Sequence, residues 1–314
     1  MLKVYRVKKA LEPATTTLEA VRTLTSAEER EYRRACKHLH SFSRSQDLMA
    51  LLEANFKEFE QAVTEFPEVA KNTRRGALNQ DPGQARLLQR LAVNFLTATR
   101  LYLDHRQTFL TREYGTASPV LDAFNDARRR LHQDELPYRF VYELRNYVAH
   151  CGMPLQEIVS ELKLVVQNGL ETTETLCHVG FNRDALLSNC DNWRHSRQFI
   201  EAQPERFDAL PIFEQVTRMF WTIDTAIVGA LMPALWKDAK VVVSLMREGT
   251  NDDGFGQIAS IDPKVGPDGQ FQVSLIAPPF GILQWMKLIT LLPGPPGMRI
   301  EEKNLAVSAP PNVT

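Results

Sequence analysis

Apolar positions recur at three- and four-residue steps along much of the chain, the period of an α-helix with one buried face. Residues 16 to 66 carry it in Leu18, Val21 and Leu24, and again in Leu48, Leu51, Leu52, Phe56 and Phe59. The polar run from Ser41 to Gln46 predicts a break between two helices there. Beyond polar punctuation from Lys71 to Gly83, the residues Leu87, Leu88, Leu91, Phe95, Leu96, Leu101, Phe109 and Leu110 predict a long helix over about 84 to 114. Gly115 closes it, and Ser118 as N-cap with Pro119 at the first position opens a helix over about 119 to 133. Phe140, Val141, Leu144 and Val148 then form the apolar stripe of a helix over about 136 to 150, stopped by Gly152 and Pro154.

The pattern loosens after that stop. Residues 155 to 166 alternate imperfectly, and an extended piece is expected around 162 to 166. Asn182 or Ser188 is a cap for a helix over about 183 to 203, and residues 210 to 247 predict one long or broken helix kinked at Pro233. Past Gly249 the period falls to two. Phe271, Val273 and Leu275 alternate with Gln270, Gln272 and Ser274, and with residues 255 to 261 and the turn-rich 262 to 269 they predict a β-hairpin. The tail after Pro293 is rich in Pro and Gly, and disorder or a surface strand is expected. The fold class read from this is mostly α: an N-terminal helical arm (1–76), a helical bundle (77–248) and a small C-terminal β-hairpin appendage with its tail (249–314).

Composition narrows the class. Of the 314 residues 44% are hydrophobic and 24% charged, ordinary for a soluble globular protein with a sizeable core. A net charge of −1 argues against a general nucleic-acid coating protein, so any RNA site must be a local positive cleft. Cys36, Cys151, Cys177 and Cys190 form no CxxC pair, and the basic N-terminal residues precede no apolar run, so a cytoplasmic protein with reduced thiols is the simplest expectation. Residues 219 to 236 approach the ~20 residues of a membrane span. Asp224 and Pro233 interrupt them, and a buried central helix is expected instead of a membrane segment.

The candidate chemistry sits at the end of the helix over 136 to 150. Arg145 supplies a permanent charge and a planar fork of donors suited to phosphate, with Asn146 beside it. His150 falls in the last turn, where the backbone dipole favours its cationic form, so it can take and give a proton near neutral pH. RNA carries its own nucleophile in the 2′-hydroxyl, so a base, an acid and a positive group suffice for cleavage without a metal. Spacing alone is weak, because Arg33/His38, Arg34/His40 and Arg100/His105 show similar intervals. Asparagine after the arginine, the apolar stripe and the Gly/Pro stop set Arg145/His150 apart. The alternative is structural: Arg145 paired with Glu143 or Asp134, and His150 only capping the helix.

The segment from Leu144 to His150 closely resembles the signature of the HEPN domain, a helical-bundle family with many metal-independent ribonucleases, often in toxin and antiviral systems. That signature is an arginine, usually a polar residue next, then a histidine four to six positions on, and Arg145, Asn146 and His150 fill those places. The preceding helix with Arg90, Asn94, Tyr102 and His105 also looks like the bundle helix before the signature. The resemblance covers about the middle half of the chain. It implies a homodimer whose two signatures face each other in one composite cleft, which supplies a second proton-transfer group. It also implies RNA as partner and, in a toxin system, an antitoxin or other regulatory protein; a non-catalytic HEPN-like binding or scaffold protein is the second reading.

Arg128, Arg129 and Arg139 are candidates for the positive cleft, or else a solvated helix face. Tyr138, Tyr142 and Tyr147 can stack on unpaired bases or pack in a core. Arg90 and Asn94, one turn apart, reach the same cleft or bond within the bundle. No cofactor or metal is expected: Cys177, His178, Cys190 and His195 lack the paired spacing of a zinc site, and no phosphate-binding glycine loop, GxSxG or HExxH is present.

Overall fold

The computed structural model describes residues 1–9, 16–72, 82–167, 170–251, 254–265, 271–276 and 278–286. In chain order the elements begin with β1 (Lys3–Lys9), β2 (Thr16–Thr23), α1 (Ser26–Asn72), α2 (Pro82–Tyr114), α3 (Pro119–Asp134) and α4 (Leu136–His150). They continue with β3 (Glu157–Gln167), β4 (Leu170–Asn182), α5 (Arg183–Asn189), α6 (Arg197–Glu201) and β5 (Arg206–Asp208). Last come α7 (Ala209–Gly249), β6 (Gly254–Val265), β7 (Phe271–Leu275) and α8 (Phe280–Trp285). The protein is thus mostly helical, with two small antiparallel sheets among the described residues. The chain divides into two compact units: residues 1–46 with 231–314, and residues 47–230.

The first unit is built on a sheet of order β2-β1-β6-β7, antiparallel throughout. The hairpin β6-β7 is present, but it is no appendage, because β1 bonds to β6 on one side and β2 on the other. Residues 16 to 23, expected in a helix, form β2 instead. Leu18 and Val21 keep helical spacing, but this segment is rich in threonine, and the edge of β1 supplies a ladder of partners from Lys3↔Thr23 to Lys9↔Thr16, interrupted by a bulge at Val21. Thr25 and Glu28 then make a reciprocal cap for α1, Thr25 N–H to Glu28 Oε2 at 2.7 Å and Glu28 N–H to Thr25 Oγ1 at 3.3 Å. The Arg22 guanidinium, followed by the Thr25 donors, holds the Glu28 carboxyl down at about 2. The break expected between Ser41 and Gln46 is absent: α1 continues through it, and Ser45 turns its hydroxyl back onto the Phe42 carbonyl at 2.6 Å.

The second unit holds the remainder of α1, helices α2 to α6, the three-stranded sheet β3-β4-β5 and the first half of α7. The predicted bounds of α2, α3 and α4 agree with the observed ones to within two residues. Ser118 and Pro119 start α3, although the Ser118 hydroxyl donates to Gly115 O at 3.1 Å and leaves the first turn uncapped. Asn182 caps α5 by accepting from Ala185 N at 2.9 Å. The single helix expected over 183 to 203 is two short ones, since Trp193 fills the gap, its indole N–H bonded to Leu186 O at 2.8 Å. The Phe140 ring of α4 meets Phe181, Trp193, Phe199 and Phe207, so this helix is the centre of an aromatic core shared with β4, β5 and α6. Residues 73–81 and the tail after Pro293 lie outside the described residues.

Helix α7 is long and apolar enough to cross a membrane by length and composition, its most apolar 18-residue window having a mean hydropathy of 1.3. Its Asp224, however, is buried against Arg106 of α2 and accepts from Tyr102 Oη at 3.0 Å. That pairing is what a core helix needs and a lipid-facing one does not.

Candidate functional site

Helix α4 buries Phe140, Leu144 and Tyr147 along one stripe, with Val141 and Tyr138 beside it. Asn146 and His150 are exposed and Arg145 is half-buried. The helix ends just past His150, where the N–H groups of Cys151 and Gly152 both donate to Tyr147 O, at 2.7 and 3.2 Å. Added bulk at Gly152 would press on the Tyr147 hydroxyl, 2.9 Å from an ideal Cβ, which explains a glycine directly behind the signature.

Arg145 lines a shallow groove with Tyr138, Val141 and Tyr142, the same face of α4 by their three- and four-residue spacing. Arg100 of α2 and Phe220 of α7 lie opposite. Arg100 also donates to the Tyr142 hydroxyl at 3.4 Å, so two guanidiniums and a phenol border one cleft. His150 stands five residues beyond Arg145, about 140° around an ideal helix. His150 is not among the residues that line the groove of Arg145.

The arginines of the other pairs, Arg33/His38, Arg34/His40 and Arg100/His105, are committed to carboxylates. Arg33 pairs with Glu29 at 2.9 Å, Arg34 and His38 both hold the buried Asp238 at 2.7 and 2.6 Å, and Arg100 pairs with Asp104 at 2.6 Å. Among the described residues Arg145 has no such acid. Glu143, its expected structural partner, is buried and accepts instead from the backbone N–H of His195 at 3.3 Å.

The remaining candidates are spread out. Arg128 bonds Gln107 Oε1 at 2.9 Å and lies over the Phe124 ring, and Arg129 pairs with Asp126 at 3.1 Å on the exposed side of α3. Arg90 is exposed and Asn94 half-buried on α2, and neither they nor Arg128, Arg129 or Arg139 line the groove of Arg145. Tyr147 is the clear correction. It is 3% exposed and stacks on Trp193, so it belongs to the core and not to a surface for bases. Tyr138 is likewise buried, whereas Tyr142 is exposed at the groove.

Spacing could not reveal a second cluster, because its members come from three segments. His132 of α3 meets His195 edge-on at 5.8 Å between ring centroids and Tyr142 at 6.2 Å. Arg139 and Glu143, one turn apart on α4, face the same place; Arg139 Nε and Glu143 Oε2 are buried without a hydrogen-bond partner among the described residues. Burial, then His195 and Arg139, push the His132 pKa below its ordinary value, with Glu143 pulling the other way. The described residues contain no group of three or more His, Cys, Asp and Glu placed to hold a metal ion.

Searches for relatives find none: no family model, no curated protein and no solved structure matches the chain.

Proposed function

We propose that this protein is a metal-independent endoribonuclease of the HEPN type, acting as a homodimer in the cytoplasm. The observation that carries the reading is the uncommitted Arg145, bordering a cleft beside Arg100 on a helix that ends in an exposed His150. Arg33, Arg34 and Arg100, the arginines of the other pairs at five- and six-residue separation, are each held by a carboxylate. In the proposed reaction one imidazole takes the proton of the 2′-hydroxyl, whose oxygen attacks the adjacent phosphate. Arg145 neutralises the charge that builds on the phosphorane, and a second imidazole gives its proton to the departing 5′-oxygen. Asn146 steadies the phosphate or the histidine rotamer. Because the groove that Arg145 borders is not lined by His150 of the same chain, a composite site is favoured in which the arginine of one protomer works with the histidine of its partner. A role in stress or antiviral defence, with an antitoxin as regulator, follows from the HEPN resemblance alone.

The test is incubation of the purified protein with RNA in EDTA. The reading requires fragments with 2′,3′-cyclic phosphate and 5′-hydroxyl ends, lost in both Arg145→Ala and His150→Ala while the dimer persists. Intact RNA that remains bound would make the protein a scaffold.

A further inference from the structure

The segment between α5 and α6 runs alongside α4 in the opposite direction. Two contacts set its course: His195 N–H to Glu143 Oε1 at 3.3 Å and the Trp193 indole on the Tyr147 ring at 5.3 Å and 22°; beyond them the Cys190 side chain faces Cys151 and raises the pKa of its thiol. On the helix these steps fall at 143, 147 and 151, four residues apart and so one above another along a single edge. The aromatic stack holds the segment in register, and the two cysteines stand where both helices end. Cys151 is the C-cap of α4 and Cys190 the C-cap of α5, outside regular helix, where a side chain can rotate without breaking helical hydrogen bonds.

We propose that Cys151 and Cys190 form a reversible oxidation site, closing to a disulfide by exchange with a low-molecular-weight disulfide such as oxidised glutathione. One thiolate of the pair attacks a sulfur of glutathione disulfide and expels one glutathione thiolate, leaving a mixed disulfide. The second cysteine, deprotonated, attacks the protein sulfur of that mixed disulfide and releases the other glutathione. Two protein thiols are oxidised, one external disulfide is reduced, and the two protons end on the two glutathiones. Accessibility sets the pair apart from Cys36: Cys151 is exposed and Cys190 half-exposed, whereas Cys36 is buried beside Tyr32; Cys177, half-exposed like Cys190, lies instead within β4. The link ties the end of α4, one residue past His150, to the segment that packs on it; that it gates catalysis is the only part resting on the ribonuclease reading.

Full-length protein incubated with oxidised glutathione and digested without reduction tests the site. The expected result is an intact mass lower by two hydrogen atoms and a peptide pair joined through Cys151 and Cys190, both reversed by dithiothreitol. Cys151→Ser and Cys190→Ser each abolish the joined pair and trap glutathione on the remaining cysteine, and the Cys36→Ser/Cys177→Ser double variant keeps it. Unchanged far-ultraviolet circular dichroism of the serine variants shows that folding is not the cause. A stable glutathione adduct without cross-linking in the wild type, a link to Cys36 or Cys177, or no reaction at all overturns the proposal. RNA cleavage is not needed for the readout, so failure of the disulfide and failure of the nuclease reading are separate results.

Discussion

The Tyr147 ring lies on the Trp193 indole with centroids 5.3 Å apart and planes 22° from parallel, which ties the last turns of α4 to the segment between α5 and α6. Trp193 in turn stacks on Phe140 at 5.9 Å, so the helix that carries Arg145 and His150 is anchored from its buried side. Tyr147→Ala is expected to lower the stability of the domain by about 3–5 kcal/mol, as large-to-small changes at buried aromatics do. Tyr147→Phe should melt nearly as wild type and leave RNA cleavage unchanged. Loss of cleavage in the phenylalanine variant at full stability would return Tyr147 to the substrate surface.

Removing the proposed machinery has a different signature. His150→Ala should reduce the cleavage rate by roughly 10²–10⁴-fold, the worth of a positioned proton-transfer group. Because His150 is exposed, its thermal midpoint should stay within a degree or so of wild type. If the site is shared between protomers, mixing inactive Arg145→Ala with inactive His150→Ala protein should restore part of the activity through heterodimers. Mixtures that stay inactive after subunit exchange would place both groups on the same protomer's site.

The buried ion pair of Arg106 with Asp224 is structural. Both are at most 2% exposed, and Tyr102 donates to the same carboxylate at 3.0 Å. Asp224→Ala leaves a buried guanidinium without its acid and should cost on the order of 3–5 kcal/mol, read as a shift in the urea midpoint. A near-neutral effect would mean that water reaches Arg106.

Acid should loosen the second unit through His132. Burial, reinforced by His195 and Arg139, holds its pKa below the ordinary 6.5, so the native state binds fewer protons than the unfolded chain just below that pH. This contribution is fully present above the unfolded value and is lost as pH falls through it toward the native one. Thermal midpoints followed from about pH 7 to about pH 5 should fall less steeply in His132→Gln than in wild type. Parallel curves would show that the imidazole is not taken out of water.

Local order was legible in the sequence. The apolar steps of Phe140, Val141 and Leu144, the proline near each helix start and Gly152 behind the end place α2, α3 and α4 almost to the residue, because period and capping act within a turn. The same steps place Arg145, Asn146 and His150 on the last turns of α4. What depended on distant partners was not legible. Leu18, Val21 and Leu24 read as helical, yet β1 captures residues 16 to 23 as a strand, with β6 arriving from more than two hundred residues away. Ser41 to Gln46 read as a break, yet α1 runs on, with the Ser45 hydroxyl bonded to the Phe42 carbonyl. Tyr147 could stack on bases or pack in a core, and the Trp193 ring upon it puts it in the core. His132, His195, Arg139 and Glu143 meet only because α3, α4 and the segment before α6 are folded together, and so do Cys151 and Cys190. Sequence determined which side chains each helix could present, since that depends on residues within one turn. Tertiary structure decided which of them were buried, paired or left for a ligand, since that depends on neighbours the chain brings from elsewhere.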